Sequence, residues 1–194
     1  MLTLANKLSI FRILLIPVFI TTILYYSPEK EYLRLLAIAV FLLAILSDAL
    51  DGYIARVHGQ RTKLGMFLDP LADKLLLSAV YISLAIVKTW PQQCKLPPWV
   101  VIVVISRDVI ILLGSTIIYM VNERLIVSPT SLGKITTFFQ MATIMVLLLQ
   151  LPFFYFVMYT MIFFTIFSGV DYIRIGSRLF NDIGQEKTRE AANV

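Results

Sequence analysis

The chain has 194 residues, 59% hydrophobic and 15% charged, with a formal net charge of +5 and a mean hydropathy of +0.84. A soluble domain of this length must cover its surface with polar groups, and this composition leaves too few, which excludes an ordinary water-soluble fold. No basic stretch is long enough to hold a nucleic-acid duplex, and the one cysteine, Cys94, excludes an intrachain disulfide or a cysteine metal cluster.

Six apolar spans are expected, at 8–26, 33–53, 69–87, 98–120, 133–150 and 153–173, so the fold class is an all-α polytopic membrane bundle. The first, Leu8 to Tyr26, has Lys7 and Arg12 like the basic start of a secretory signal. However, Thr21 to Ser27 offers no small-x-small cleavage site and further spans follow, so it reads as a retained helix bent at Pro17. The uncharged runs of the next three are short: Leu35–Ser47, Leu75–Val87 and the two halves flanking Arg107-Asp108. A crossing needs about 20 residues, so these helices must carry ionised groups into the membrane region, facing a polar interior. From Ile135 to Val170 there is no charge at all. As one helix this run would be roughly 54 Å long, enough for two crossings of a core about 30 Å thick. Its natural break is Gln150-Leu151-Pro152.

An even number of spans puts both termini on one side. That side collects Lys7, Arg12, Arg56, Arg61, Lys63, Arg124, Lys134, Arg174, Arg178, Lys187 and Arg189, against Lys30, Arg34, Lys88 and Lys95 opposite. The bias places both termini in the cytoplasm. Residues 1–180 are expected to form a single transmembrane catalytic domain, and 181–194 a short polar cytoplasmic tail.

The informative stretch runs from Asp48 to Asp73. On a helix, residues three or four apart share a face, so Asp48 and Asp51 look the same way, as do Asp69 and Asp73 one turn apart. Pro70 suits a first helical turn, where its missing N–H is not needed. A short basic loop makes the two helices antiparallel neighbours, and four carboxylates then converge toward their cytoplasmic ends. Such a group needs a counter-charge, or it takes up protons. Oxygen-only ligands suit Mg²⁺ or Mn²⁺ rather than zinc, although His58 lies in the adjacent loop. Two such ions are a known solution for displacement at phosphorus. Gly52, Ala55 and Gly65 leave room against the backbone, either for a nucleotide or for close helix packing. An ion transporter is the competing class, but it would need polar residues continuing to the outer leaflet, and these acids stop short of it.

Together the halves read D-x-x-D-G-x-x-A-R, eight residues, then G-x-x-x-D-x-x-x-D. This resembles the signature of the CDP-alcohol phosphatidyltransferase family without a departure. The resemblance implies an enzyme that attacks the β-phosphorus of a CDP-lipid with an alcohol, releases CMP, works as a homodimer and opens to the cytoplasmic leaflet. It implies that Asp48, Asp51, Asp69 and Asp73 hold two Mg²⁺ (or Mn²⁺) ions, with Asp73 as general base on the acceptor hydroxyl. It further implies that Asp51, Gly52, Ala55, Arg56 and Gly65 bind the CDP-lipid. Arg56 can fork onto phosphate oxygens, whereas a metal-bound Asp73 is a weak base that could instead orient the hydroxyl. Lys74 beside it is either a counter-charge or a phosphate contact.

The acceptor is expected to meet Arg107, Lys134 and Arg174. Arg107 is the strongest of the three, since adjacent helical residues point about 100° apart and Asp108 should pair with it poorly. Asn6 to Arg12 and Ser168-Gly169-Val170-Asp171-Tyr172 resemble the phosphatidylglycerophosphate synthase branch, which joins CDP-diacylglycerol to glycerol 3-phosphate. Leu68 to Lys74, Ile105 to Val109 and Pro129 to Gln140 look more like eukaryotic-type cardiolipin synthases, whose acceptor is phosphatidylglycerol. Glycerol 3-phosphate is the preferred expectation; inositol phosphate and serine are further alternatives.

Overall fold

Inside a bilayer every backbone N–H and C=O must be satisfied within the protein, so long apolar runs fold as helices. The computed structural model describes the backbone of residues 4–58, 63–122 and 131–192, and the side chains of 8–50, 72–114 and 131–177. Among the described residues six α-helices form: α1 (Leu4–Leu24), α2 (Glu31–His58), α3 (Lys63–Ile86), α4 (Pro98–Asn122), α5 (Ser131–Leu148) and α6 (Phe154–Ala192), with a 3-10 turn at Gln92–Cys94. They follow the expected order. α1 runs through Pro17, whose carbonyl accepts a hydrogen bond from the Thr21 hydroxyl at 2.7 Å. The polar segment after residue 180 continues α6 as helix to Ala192.

Among the described residues, four segments are long and apolar enough to cross a membrane: Glu31–Leu50, Gln92–Gly114, Ser131–Leu148 and Phe154–Ser177. The expected first and third spans are helical but fall short of that measure. The described apolar part of α1 is only Leu8–Leu24, and the described side chains of α3 begin at Ala72. Polarity is distributed inside out, as lipid contact requires. Leu35 and Leu46 on α2, Ile102 on α4, and Phe156, Tyr159 and Phe163 on α6 are exposed, while Ser9, Arg12, Thr136, Gln140, Thr143, Thr165 and Ser168 are buried.

Two compact units divide the chain: Met1–Val101 with Met141–Tyr155, and Ile102–Gln140 with Phe156–Val194. In the first, α1 packs against both α2 and α3, and Phe19 meets Phe41 with ring centroids 6.2 Å apart. The turn after α1 is fastened around the buried Tyr26. Its ring lies 4.8 Å from Trp90, its carbonyl accepts from the Thr89 hydroxyl at 2.7 Å, and its hydroxyl accepts from the Gln150 amide at 3.2 Å.

The break after α5 falls where expected and has a defined geometry. Gln150 adopts a positive φ of 55°. Its N–H donates to the Leu147 carbonyl at 3.0 Å, and the Leu151 N–H reaches back to Val146 at 3.1 Å. This is a Schellman ending, which satisfies two carbonyls the helix leaves open. Arg34 serves another, donating to the Leu148 carbonyl at 3.1 Å. In the second unit, Phe139 stacks on Phe164 at 5.1 Å, and the Thr136 hydroxyl lies 2.8 Å from the Leu132 carbonyl and 3.1 Å from that of Phe164.

Candidate active site

The backbone places every signature position on a helix. Asp48, Asp51, Gly52, Ala55 and Arg56 belong to α2, and Gly65, Asp69 and Asp73 to α3. Both helices extend into the eight-residue spacer: α2 continues to His58, expected in a loop, and α3 begins at Lys63. The side chains of Asp51, Arg56 and Asp69, with Ala55 and the glycines, lie outside the described residues. Asp48 and Asp73 are described, and they meet at one point.

That point is Arg12 of α1. Its Nη1 donates to Asp73 Oδ1, and its Nη2 lies 3.1 Å from Asp48 Oδ1. The Arg12 side chain is 1% exposed, against 41% for Asp48 and 35% for Asp73. A guanidinium keeps its proton even when buried, so it must be met by anions, and the two carboxylates supply them. The acids in turn are partly exposed, so the cluster reaches the surface. Among the described residues Arg12 Nε and Nη2 have no hydrogen-bond partner; the approach of Nη2 to Asp48 is a charge contact without hydrogen-bond geometry. Arg12 reads from sequence as one more cytoplasmic charge. Its signal was position: a basic residue well inside an apolar run must have an internal partner.

Among the described residues, no group of three or more His, Cys, Asp or Glu side chains converges. The observed pair still tests the fit of a divalent ion. Two carboxylates from different helices already close on one cation, and both offer oxygen only, which suits Mg²⁺ or Mn²⁺. Asp48 and Asp73 fit the group that the signature implies.

In the second unit, Arg107 is buried and held through both terminal nitrogens. Its Nη1 donates to Asp108 Oδ1 at 2.8 Å, its Nη2 to the Ser168 hydroxyl at 2.8 Å, and its guanidinium stands 5.8 Å from the Tyr172 ring centroid. The expectation that Asp108 pairs poorly with Arg107 is thus corrected. Both side chains are buried, and without water each finds its best partner in the other despite the unfavourable helical angle. Among the described residues Arg107 Nε has no hydrogen-bond partner. Lys134 and Arg174 are exposed. Ser168, with Thr165 three residues earlier, went unread as a structural polar pair, although small polar residues at helical spacing inside an apolar run are a readable sign of an internal face.

The sequence profile of the family described as CDP-alcohol phosphatidyltransferase matches residues 2–167. The chain is 34% identical over 187 residues to the "Probable phosphatidylglycerophosphate synthase" of Mycobacterium tuberculosis, covering 93% of this chain and 83% of that one. It is 35% identical over 189 residues to the CDP-diacylglycerol--glycerol-3-phosphate 3-phosphatidyltransferase of Bacillus subtilis, covering 89% and 94%. Against the human cardiolipin synthase (CMP-forming) it is 39% identical over 133 residues, 68% of this chain but 39% of that protein. With the signature complete on α2 and α3 and the profile matched across most of its length, the chain belongs to the CDP-alcohol phosphatidyltransferase family.

Proposed function

We propose that this protein transfers a phosphatidyl group from CDP-diacylglycerol to sn-glycerol 3-phosphate, giving phosphatidylglycerophosphate and CMP. The observation that carries the reading is the convergence of Asp48 and Asp73, from opposite halves of the signature, on one cation. Asp48, Asp51, Asp69 and Asp73 hold two Mg²⁺ or Mn²⁺ ions, which when bound neutralise charge on the phosphoryl oxygens and the leaving group. Asp51, Gly52, Ala55, Arg56 and Gly65 bind the CDP-lipid, with Arg56 forking onto its phosphates. Asp73 receives or orients the proton of the acceptor hydroxyl.

Arg107, Lys134 and Arg174 bind the acceptor phosphate. Support for Arg107 is its Nε, which has no hydrogen-bond partner among the described residues; support for Lys134 and Arg174 is their exposure. The six helices cross the membrane with both termini and the site cytoplasmic, and the chain works as a homodimer. Glycerol 3-phosphate is preferred because the relatives named for it match along most of both chains. The second reading, phosphatidylglycerol as acceptor, is favoured by the higher identity over the shorter cardiolipin synthase match. The test is acceptor choice by the purified, reconstituted protein, with CMP release and lipid product both measured.

A further inference from the structure

We propose that Arg12 is a built-in cation of the acid cluster, a positioning residue that holds Asp48 and Asp73 together without metal and yields them when a divalent ion binds. The inference rests on the metal-assisted reading above and adds a residue outside the signature.

Three observations lead to it. Arg12 stands on α1, the helix that packs against both α2 and α3, so one side chain can bridge the two acid-bearing helices. It touches one oxygen of each acid, Asp48 Oδ1 and Asp73 Oδ1, which are the groups a metal ion would need. And it is almost wholly buried, with Nε lacking a hydrogen-bond partner among the described residues, so the two carboxylates are what hold its charge.

Charge balance gives the behaviour. One guanidinium against two carboxylates leaves a net negative site, so the cluster still attracts a divalent ion. Arg12 prevents the carboxylates from repelling each other before that ion arrives. It then competes with the ion for the same oxygens, and being buried it stays close by as a like charge. Arg12 should therefore stabilise the metal-free protein and hold metal affinity down, a combination that a purely structural salt bridge does not predict.

The experiment compares the parent chain with Arg12→Gln and Arg12→Lys, purified in detergent, by thermal unfolding without metal and by Mn²⁺ titration. Arg12→Gln should unfold at a lower temperature without metal and bind Mn²⁺ at least about tenfold more tightly, a floor well below the full repulsion of a unit charge a few ångströms away at an effective dielectric near 20, because the guanidinium gives way when the ion binds. Arg12→Lys keeps the charge but cannot fork to both acids; it should fold and bind Mn²⁺ about threefold more tightly. Should Arg12→Gln fail to fold, the lysine variant decides alone. Unchanged or weaker Mn²⁺ binding in the folded variants, with the parent binding normally, overturns the role of Arg12 and leaves the metal reading standing. A parent chain that binds no Mn²⁺ overturns both.

Discussion

The Nη2 of Arg107 donates to the Ser168 hydroxyl across 2.8 Å, tying α4 to α6 through two fully internal side chains. With Nη1 held by Asp108, the guanidinium is fixed in direction before any acceptor arrives. Ser168→Ala should therefore lower stability by about 1.5–3 kcal/mol, the range for a lost hydrogen bond to a charged group. Arg107→Leu should cost about 3–5 kcal/mol, because it strips the cation from a buried Asp108. Chemical unfolding in detergent measures both, and parent-like stability in Arg107→Leu would contradict the arrangement.

Gly169, next in the chain, is a helical glycine with room. A Cβ there would meet Arg107 Cγ at 3.8 Å, an ordinary contact. Gly169→Ala should thus gain up to about 1 kcal/mol from helix propensity alone. A loss of stability would show that the close approach of α6 needs the missing side chain.

How much of this was legible beforehand depends on the residue. The helix order and the Gln150 break could be read because charge-free length and Pro152 report directly on backbone requirements. The acids at 48 and 73 could be read because helical spacing fixes which residues share a face. Arg12 could not be placed, since its partners lie 61 positions away at Asp73 and on α2 at Asp48, and a local reading sees only a basic residue in an apolar helix. Arg107 was misread for a different reason. The helical angle between neighbours is a local quantity, whereas the desolvation that makes an unfavourable angle the better of two states arises only once both groups are buried by the fold.

Gln150 offers a test of the α5 ending. Its φ of 55° favours glycine, yet its amide is used at Tyr26. Gln150→Ala should lose about 1 kcal/mol, since the hydrogen bond goes and the strain stays. Gln150→Gly should come out near neutral, relieving about 1 kcal/mol of backbone cost while losing the same contact. Equal destabilisation of both variants in thermal unfolding would contradict this account.

The acid cluster is tested by Asp69→Asn, which keeps size and removes charge. Outer-shell partners of metal ligands already cost about 10–100-fold when lost, so a ligand itself should cost more than a hundredfold in turnover. The variant should remain folded, and excess EDTA should likewise stop the parent chain. A wild-type rate in Asp69→Asn, or activity that survives EDTA, would refute the metal assignment.

The most direct test of the central claim is a reconstituted assay with CDP-diacylglycerol and Mg²⁺, supplying glycerol 3-phosphate, phosphatidylglycerol, inositol phosphate or serine one at a time. Phosphatidylglycerophosphate should form with CMP in equal amounts when glycerol 3-phosphate is supplied, and the other acceptors should give little. Product with phosphatidylglycerol alone would contradict the acceptor assignment, and no CMP with any acceptor would contradict phosphatidyl transfer itself.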